Sequence, residues 1–233
     1  MTEKPTSPRK KKAAPKPEAG EESDTALKKT VLKEALKDAA FDGFTDGMLA
    51  KAGKKAGADK DALTRLFPEG VLSLIEYFSA SIDAAMEEKL QALDLSKRKI
   101  RERIKLAVLT RLALLAPNKE AARRAAAMMT LPIHAGRASK MMYRTVDAMW
   151  RAAGDTSTDF NFYTKRGILA GVYGSTLVRW FNDTGEDESA TEAFLDARIE
   201  NVMQFEKFKA KAKEAFANFP AFAAWVAPKP KTK

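Results

Sequence analysis

Residues 149–166 read MWRAAGDTSTDFNFYTKR, and this stretch contains the end of one helix, a short polar joint and the start of another helix. Gly154 is suited to the left-handed conformation that commonly closes a helix. Ser157, Thr158 and Asp159 carry side-chain oxygens that accept hydrogen bonds from the free amide groups of a following helix. The stretch therefore predicts two consecutive helices with a capped joint between them.

The second of these helices, over about residues 159–181, is the most apolar in the chain. One side has the i, i+3, i+4, i+7 spacing of a buried stripe, formed by Leu169, Val172, Tyr173, Thr176, Leu177 and Trp180. A second side carries Gly167, Gly171 and Gly174, although each glycine costs a helix about 1 kcal/mol relative to alanine. Such a side indicates that a neighbouring helix or a flat ligand approaches the backbone, and a helix is favoured.

The segment from Asp147 to Arg166 resembles the signature of the ubiquinone-biosynthesis accessory proteins of the Coq-nine family, called RpsU-divergently-transcribed proteins in some bacteria. A weaker likeness extends over about residues 27–208. The resemblance implies the all-helical fold of tetracycline-repressor-type regulators, a homodimer, lipid binding and no enzymatic activity of its own. It also implies assistance to a demethoxyubiquinone-type hydroxylase that acts on the quinone ring.

The same resemblance implies which residues receive the hydroxylase partner. Carried over position by position, they are Asp147, Met149, Phe162, Tyr163 and Arg166. Phe162 stands where many family members have tryptophan, so this chain lacks the indole donor but keeps an apolar anchor. The difference concerns the affinity of the site more than its location.

From the residues alone, Phe162 and Tyr163 are adjacent and cannot both face the core of one helix. Helical spacing places Phe162 in line with Arg166, and the charge of Arg166 predicts that this line is not buried. We therefore expect Phe162 at an edge or outside, either in a protein contact or beneath a neighbouring loop.

Composition excludes several classes of site. The 233 residues include no cysteine and one histidine, which rules out a disulfide framework, a thiolate nucleophile and cysteine-bound zinc. His134 has no carboxylate at i−3 and is expected to be a solvated or singly hydrogen-bonded residue. Asp155 and Asp159 are better explained by the helix joint than as an acid/base pair. We expect no cofactor and no metal.

The two ends of the chain differ from its middle. Residues 1–24 combine prolines with both charges and predict a disordered tail. Residues 207–233 contain seven lysines and one acidic residue, so most of the net charge of +10 lies at this end. No run of about 18 apolar residues is present to predict a membrane-spanning helix.

Residues 25–68 have the layout of a helix-turn-helix module, with short helices over about 46–55 and 59–66 and Gly57 between them. DNA binding is disfavoured, because the third helix begins with Asp59 and Asp61 where phosphates would lie. The residues suited to DNA are Thr64 and Arg65, with a possible phosphate patch at Lys51, Lys54 and Lys55. A tetracycline-repressor-type regulator that responds to an apolar ligand is the alternative function.

Residues 69–204 predict a helical ligand-binding and dimerisation domain, with helices over about 70–93, 96–116 and 118–131 and a further helix from Pro132. On the second of these, Ile100, Ile104, Ala107, Val108, Leu112 and Leu115 are expected to point inward. No segment alternates with period two, so the fold class is all-α.

Methionines are concentrated in this domain: five of the nine lie within residues 128–149. Methionine is flexible and polarisable and suits a surface that must fit a pliable apolar partner. A methionine-rich core without a cavity and a cavity for an isoprenoid or acyl chain are both consistent with this pattern, and the resemblance favours the cavity. Its expected lining is Met128, Met141, Met142, Val146, Leu169, Val172, Tyr173 and Leu177.

The C-terminal part predicts a helix over about 190–202 that pairs with the glycine-striped helix, and the resemblance implies that the two helices form a dimer interface. Residues 205–233 then place aromatic side chains opposite lysines, which is typical of an interfacial membrane helix. The expected membrane-binding residues are Phe208, Phe216, Phe219, Phe222 and Trp225. Packing onto the domain or onto a dimer mate is the alternative.

These observations lead to one hypothesis. The protein is a non-enzymatic accessory protein, in the cytoplasm and peripheral on the bacterial inner membrane. It takes an isoprenoid lipid or quinone intermediate from the membrane surface and presents it to the hydroxylase.

Overall fold

The computed structural model describes residues 19–157, 160–185 and 188–217. Within these ranges the chain forms nine α-helices and two short 3-10 helices, at Ala116–Asn118 and Pro132–His134, and contains no strand. The helices are α1 (Ala19–Asp42), α2 (Asp46–Lys55), α3 (Lys60–Leu66), α4 (Val71–Gln91), α5 (Ile100–Leu115), α6 (Lys119–Met129), α7 (Ala135–Ala152), α8 (Phe160–Phe181) and α9 (Ser189–Ala217). The expected all-α fold is confirmed.

The chain divides into two compact units, one ending at Leu72 and the other beginning at Ser73. In the first unit, α2 and α3 form the predicted helix-turn-helix layout. Thr45 caps α2 by accepting a hydrogen bond from the amide of Met48 at 3.1 Å. Asp59 caps α3 by accepting one from the amide of Ala62 at 2.7 Å. Gly57, in the turn between the two helices, has a φ of +78°, which glycine adopts without strain.

The first helix begins earlier than predicted. Residues 19–24, which the sequence assigns to a disordered tail, are part of α1. Acidic side chains near a helix N-terminus interact favourably with the helix dipole, and residues 19–24 contain three of them. The prediction of a disordered tail therefore does not hold for residues 19–24. For residues 1–18, which lie outside the described part, it stays a prediction.

Basic residues of the first unit are paired with acids of α1. Arg65 donates to Asp24 at 2.9 Å. Lys51 and Lys55 both lie within salt-bridge distance of Asp38, at 3.1 Å and 3.2 Å. Exposed pairs of this kind add little stability, but each acid lowers the positive potential that a nucleic-acid phosphate would meet.

In the second unit the predicted stripes largely form the core. Leu169, Val172, Tyr173, Thr176 and Trp180 are buried on α8. Ile104, Ala107, Val108, Leu112 and Leu115 are buried on α5. The prediction for Ile100 was wrong: it is the first residue of α5, no preceding turn covers it, and it is 47% exposed.

The last described helix crosses a boundary that the sequence was expected to contain. α9 runs without a break from Ser189 to Ala217, through the division predicted between residues 204 and 205. This stretch contains neither proline nor glycine, so no residue in it terminates a helix. Within the described ranges, no helix combines the length and the apolar character needed to cross a membrane.

Candidate functional site

A cavity of about 470 Å³ lies in the second unit. Helices α4 to α8 contribute to its walls, which are mainly apolar. Its large apolar side chains are Ile75, Phe78, Leu115, Met129, Met141, Met142, Tyr173, Leu177, Val178 and Phe181. The volume falls within the range of roughly 300–1,000 Å³ that small-molecule sites occupy.

Four of the eight residues predicted to line such a cavity do so: Met141, Met142, Tyr173 and Leu177. Val146, Leu169 and Val172 are instead buried in the packed core and do not reach the cavity wall. Met128 does not line the cavity. Successive side chains of a helix point about 100° apart, so an error of one position moves a residue off the cavity wall. Met129, the neighbour of Met128, lines the cavity in its place.

The three glycines of α8 have different surroundings. A Cβ atom on Gly174 would lie 3.7 Å from the Cε of Met142, and Gly174 lines the cavity. A Cβ atom on Gly167 or Gly171 would meet no described atom within 4 Å. Only Gly174 therefore brings the helix backbone close to a described neighbour.

One wall of the cavity contains a buried polar cluster around Arg111, which is 5% exposed. Arg111 Nε donates to Asp83 at 2.7 Å, and Nη1 donates to the hydroxyl of Tyr173. Its Nη2 donates to Ser79 at 2.9 Å and to Thr145 at 3.4 Å. Thr145 in turn donates to the second oxygen of Asp83 at 2.9 Å. We call these five residues the Arg111 cluster.

Four of these five residues were not predicted from the sequence, and the fifth, Tyr173, was predicted only as part of an apolar wall. A signal was present, because Arg111 continues the inward stripe of Ala107 and Val108 on α5. A charge on a buried stripe requires a partner of opposite sign, and Asp83, near the buried Met86 on α4, is that partner.

Burial raises the pKa of Tyr173. The hydroxyl of a tyrosine normally ionises near pH 10, so at neutral pH Tyr173 keeps its proton. The hydroxyl of Tyr173 therefore accepts a hydrogen bond from Arg111 and keeps a proton that it can donate.

The joint between α7 and α8 is closed as predicted at Gly154, which has a φ of +85°. Arg103 supports the joint from the start of α5 by donating to the carbonyl oxygen of Ala153 at 3.1 Å. Ser157 donates to Asp155 at 2.7 Å, so it acts within the joint. Thr158 and Asp159, the other predicted caps, lie outside the described residues.

A second buried arginine cluster holds this joint. Arg166 Nε donates to Asp147 at 2.7 Å, and Nη1 donates to Asp155 at 3.2 Å and to the carbonyl oxygen of Phe162 at 3.1 Å. Lys165 donates to Asp155 at 2.8 Å. We call Asp147, Asp155, Phe162, Lys165 and Arg166 the Arg166 cluster.

The expectation that Arg166 lies on an unburied line was wrong, since Arg166 is 4% exposed. Two carboxylates compensate for the burial of its charge. Its guanidinium carbon also lies 3.4 Å from the centroid of the Phe162 ring, so Phe162 is half-buried against it. Tyr163, the neighbour of Phe162, points outward and is 67% exposed.

The pKa of Asp155, in the joint, is strongly lowered. Burial alone would raise its pKa, but hydrogen bonds from Lys165, Ser157 and Arg166 outweigh burial and lower the pKa to about 2. Asp155 is therefore ionised at any physiological pH and acts as a fixed anion rather than as a proton donor.

Among the five residues assigned to the hydroxylase contact, only Tyr163 is exposed. Met149 is fully buried, because it packs into the core at the end of α7, and it therefore offers no surface to a partner. Asp147 and Arg166 are engaged with each other. The structure places the signature residues together, mostly in contact with one another.

Of the residues predicted to bind the membrane, Phe208 is described with its side chain and is 70% exposed on α9. The nearby Phe205 is 61% exposed. The side chain of Phe216, together with Phe219, Phe222 and Trp225, lies outside the described residues.

Comparison with known proteins relates the chain to one family. The sequence profile of the COQ9 family matches residues 135–206, which run from the start of α7 into α9. The chain is 32% identical to the rat "Ubiquinone biosynthesis protein COQ9, mitochondrial", over 78% of this chain and 60% of that protein. It is 30% identical to the human protein of the same name, over 78% of this chain and 59% of that protein.

A more distant relative is the "Probable ubiquinone biosynthesis protein coq9, mitochondrial" of Dictyostelium discoideum, which is 29% identical over 78% of this chain and 62% of that protein. The chain thus spans about 60% of the length of these relatives.

A solved structure supports the fold. The TetR transcriptional regulator from Nitrosomonas europaea superposes with a TM-score of 0.62, at 19% identity, over 75% of this chain and 97% of that protein. This likeness concerns the fold alone, and it confirms the expected tetracycline-repressor-like architecture. The COQ9 family profile thus matches residues 135–206, and the chain is similar to the COQ9 proteins over most of its length, which confirms the resemblance seen in the signature.

Proposed function

We propose that the protein is a lipid-binding accessory protein of ubiquinone biosynthesis and has no catalytic activity of its own. It takes up an isoprenoid quinone intermediate at the membrane and presents it to a demethoxyubiquinone-type ring hydroxylase. The observation that carries the proposal is the apolar cavity of about 470 Å³. Helices α7 and α8 form part of its wall, and both lie within residues 135–206, which match the COQ9 family profile.

The chemistry of the wall suits a flexible apolar chain. Met129, Met141 and Met142 contribute three adaptable thioether side chains, which fit irregular apolar surfaces better than branched residues do. Gly174 removes a side chain from the same wall and widens the space in front of Met142. A polyprenyl chain is too insoluble to diffuse through water, so a protein that carries it must cover it in this way.

The proposed membrane contact is the exposed part of α9. Phe205 and Phe208 are exposed there, as are Lys207 and Lys211. Burial of one phenylalanine in an apolar phase contributes about 1.5–3 kcal/mol, and lysines near an anionic lipid surface add about 1 kcal/mol each. Two phenylalanines with neighbouring lysines support reversible binding to the cytoplasmic face of a bacterial inner membrane.

The proposed protein contacts lie on α8. Tyr163 is an exposed aromatic side chain on a joint held by buried ion pairs, which is the setting of an interface anchor. Gly167 and Gly171 leave the backbone of α8 bare where no described atom covers it. This bare stretch supports the homodimer, because a helix of a second copy can approach closely there.

The cavity is tested by filling it from α8. Gly174→Leu places a side chain in front of Met142. Gly136→Leu is the control, because Gly136 lies in α7 outside the cavity wall and a Cβ atom there would meet no described atom within 4 Å. Both changes replace a helix glycine by leucine, which is the better helix former. We expect the wild type and Gly136→Leu, purified from the cells of origin, to carry an isoprenoid lipid in native mass spectrometry, and Gly174→Leu to carry at least tenfold less.

Circular dichroism and gel filtration show whether both variants keep the fold. Equal lipid content in folded Gly174→Leu and Gly136→Leu would place the lipid elsewhere. A folded wild-type protein that carries no lipid, and takes up none when an isoprenoid quinone is added, would contradict the proposed function.

A further inference from the structure

Most of the cavity wall is apolar, but one part of it is polar. Four of the five members of the Arg111 cluster line it: Ser79, Arg111, Thr145 and Tyr173. A site built only for a hydrocarbon chain has no use for a buried cation and three hydroxyl groups, since burying polar groups costs free energy unless they are paired. The polar members of this wall therefore call for a second explanation.

Hydrogen bonding within the cluster is asymmetric. Thr145 accepts from Arg111 and donates to Asp83, so both of its functions are used. The hydroxyls of Tyr173 and Ser79 each accept a hydrogen bond from Arg111. Neither hydroxyl donates a hydrogen bond to any other described residue. Each therefore retains one unused donor, and Tyr173 is buried, with 2% of its surface exposed.

Arg111 also determines the direction of the hydrogen bonds that it makes with Tyr173 and Ser79. A guanidinium group is donor-only, so the oxygen atoms of Tyr173 and Ser79 must turn a lone pair towards Arg111. Their hydrogens then point elsewhere, and the nearby positive charge makes both O–H groups stronger donors. The hydroxyls of Tyr173 and Ser79 therefore each have a donor available on this side of the cavity.

We infer that the hydroxyls of Tyr173 and Ser79, polarised by Arg111, form a donor pair that recognises an acceptor oxygen on an otherwise apolar ligand. The inference rests on the proposed function and assigns the residues that hold the oxygen-bearing end of its ligand. The class is an apolar chain attached to a carbonyl-bearing or ether-bearing ring, with the ring oxygen at this wall and the chain among the methionines. A hydrocarbon of the same size leaves both donors unpaired.

The inference is tested by competition between two probes of similar length. One is a para-benzoquinone with a decyl side chain, and the other is decylbenzene. Both are added in equal amounts, in detergent micelles, to the delipidated full-length protein, and the bound fraction of each is read by native mass spectrometry. Loss of one hydrogen bond changes binding by about threefold to tenfold, so we expect the quinone to be favoured by at least that factor.

Variants assign the preference to the cluster. Tyr173→Phe removes one donor while keeping the ring, and the preference should fall by about threefold to tenfold. Ser79→Ala removes the other donor with little change in volume and provides a second measurement if Tyr173→Phe is poorly folded. Tyr143→Phe is the control, because Tyr143 is exposed on α7 and does not line the cavity.

An infrared spectrum of the bound quinone supplies an independent readout. Donation from the wall should move the carbonyl stretch to lower frequency in the wild type and in Tyr143→Phe, and this shift should shrink in Tyr173→Phe. Equal binding of the two probes by the wild type would overturn the inference and leave the proposed lipid carrier intact. Binding of neither probe would contradict both.

Discussion

Helix α8 takes part in two buried arginine clusters that differ in one respect. At its start, the Arg166 cluster satisfies its arginine with two carboxylates and a backbone carbonyl. In its middle, the Arg111 cluster satisfies its arginine with one carboxylate and three hydroxyls. Carboxylates end a hydrogen-bond chain because they only accept, whereas hydroxyls extend it because they also donate. The first cluster is closed and holds the joint, and the second is open towards the cavity.

The largest effect is expected from Arg111→Met, which leaves the carboxylate of Asp83 with a single hydroxyl partner. Removing one member of a buried ion pair costs about 3–5 kcal/mol, so urea denaturation at pH 7 should show a loss of that size. Arg124→Met, which breaks an exposed pair with Glu120 on α6, should cost much less than Arg111→Met, because water already screens that pair.

A double change sharpens this prediction. Asp83→Leu combined with Arg111→Met removes both charges, and it should be less destabilised than Arg111→Met alone, because no unpaired charge stays buried. If Arg111→Met costs no more than Arg124→Met, the Arg111 cluster does not carry the buried charge pair described above.

A smaller loss is expected from Arg166→Met. Asp147 still receives a hydrogen bond from Arg151, and Asp155 still receives one from Lys165, so neither carboxylate is left alone. Loss of hydrogen bonds between charged groups costs about 2 kcal/mol here. Because this cluster does not line the cavity, binding of the decyl-substituted quinone should change by less than about twofold. A large loss of quinone binding in the folded variant would remove the distinction between the two clusters.

The two clusters should also lose their contributions to the free energy of unfolding at opposite ends of the pH scale. The pKa of Asp155 is lowered to about 2 from 3.8, so its contribution is complete above about pH 4 and is lost as the pH falls towards 2. The shift corresponds to about 2 kcal/mol. Asp155→Asn should flatten the acid limb of a plot of unfolding free energy against pH.

The alkaline limb belongs to Tyr173. Its pKa is raised by burial, so its contribution is present below about pH 10, the ordinary pKa of tyrosine, and is lost above it. Tyr173→Phe should flatten the alkaline limb and leave the acid limb unchanged. If Asp155→Asn and Tyr173→Phe alter the same limb, the assignment of one titration to each cluster is wrong.

The smallest change in stability is expected at the surface of the joint. Tyr163→Ala removes an exposed side chain and should alter the unfolding free energy by less than about 0.5 kcal/mol. If the joint presents an anchor to the hydroxylase, binding of that enzyme should nevertheless weaken at least tenfold, measured by surface plasmon resonance. Tyr143→Ala on α7 is the matched control. Unchanged binding in Tyr163→Ala would show that the joint is structural only.

Much of the fold was readable from the sequence, because long amphipathic stripes and strong joints determine helices locally. The α8 stripe and the turn at Gly154 are examples. The polar partners were not readable in the same way. Asp83 and Arg111 are 28 positions apart, and which charges meet across helices depends on how the helices pack. Arg166 was misjudged for this reason, since its charge alone suggested solvent.

The candidate site was half readable for a related reason. Spacing places a residue on one side of a helix but does not tell whether that side meets another helix or a cavity. Met141 and Met142 line the cavity whereas Val146, one turn further along α7, is core. A single step along α6 separates Met128 from Met129, and periodicity near a helix end does not resolve such a step.

Continuity of α9 has a mechanical consequence. Leu195, in its first half, is fully buried, and Phe208, in its second half, is exposed. A helix rises about 1.5 Å per residue, so the 13 residues after Gln204 extend roughly 20 Å as a stiff rod with no hinge. A rigid helix fixes the angle between the two parts that it joins, whereas a flexible linker only keeps them close together. Whatever surface the second half contacts, it dictates the angle at which the buried first half, and the helices packed on it, are held.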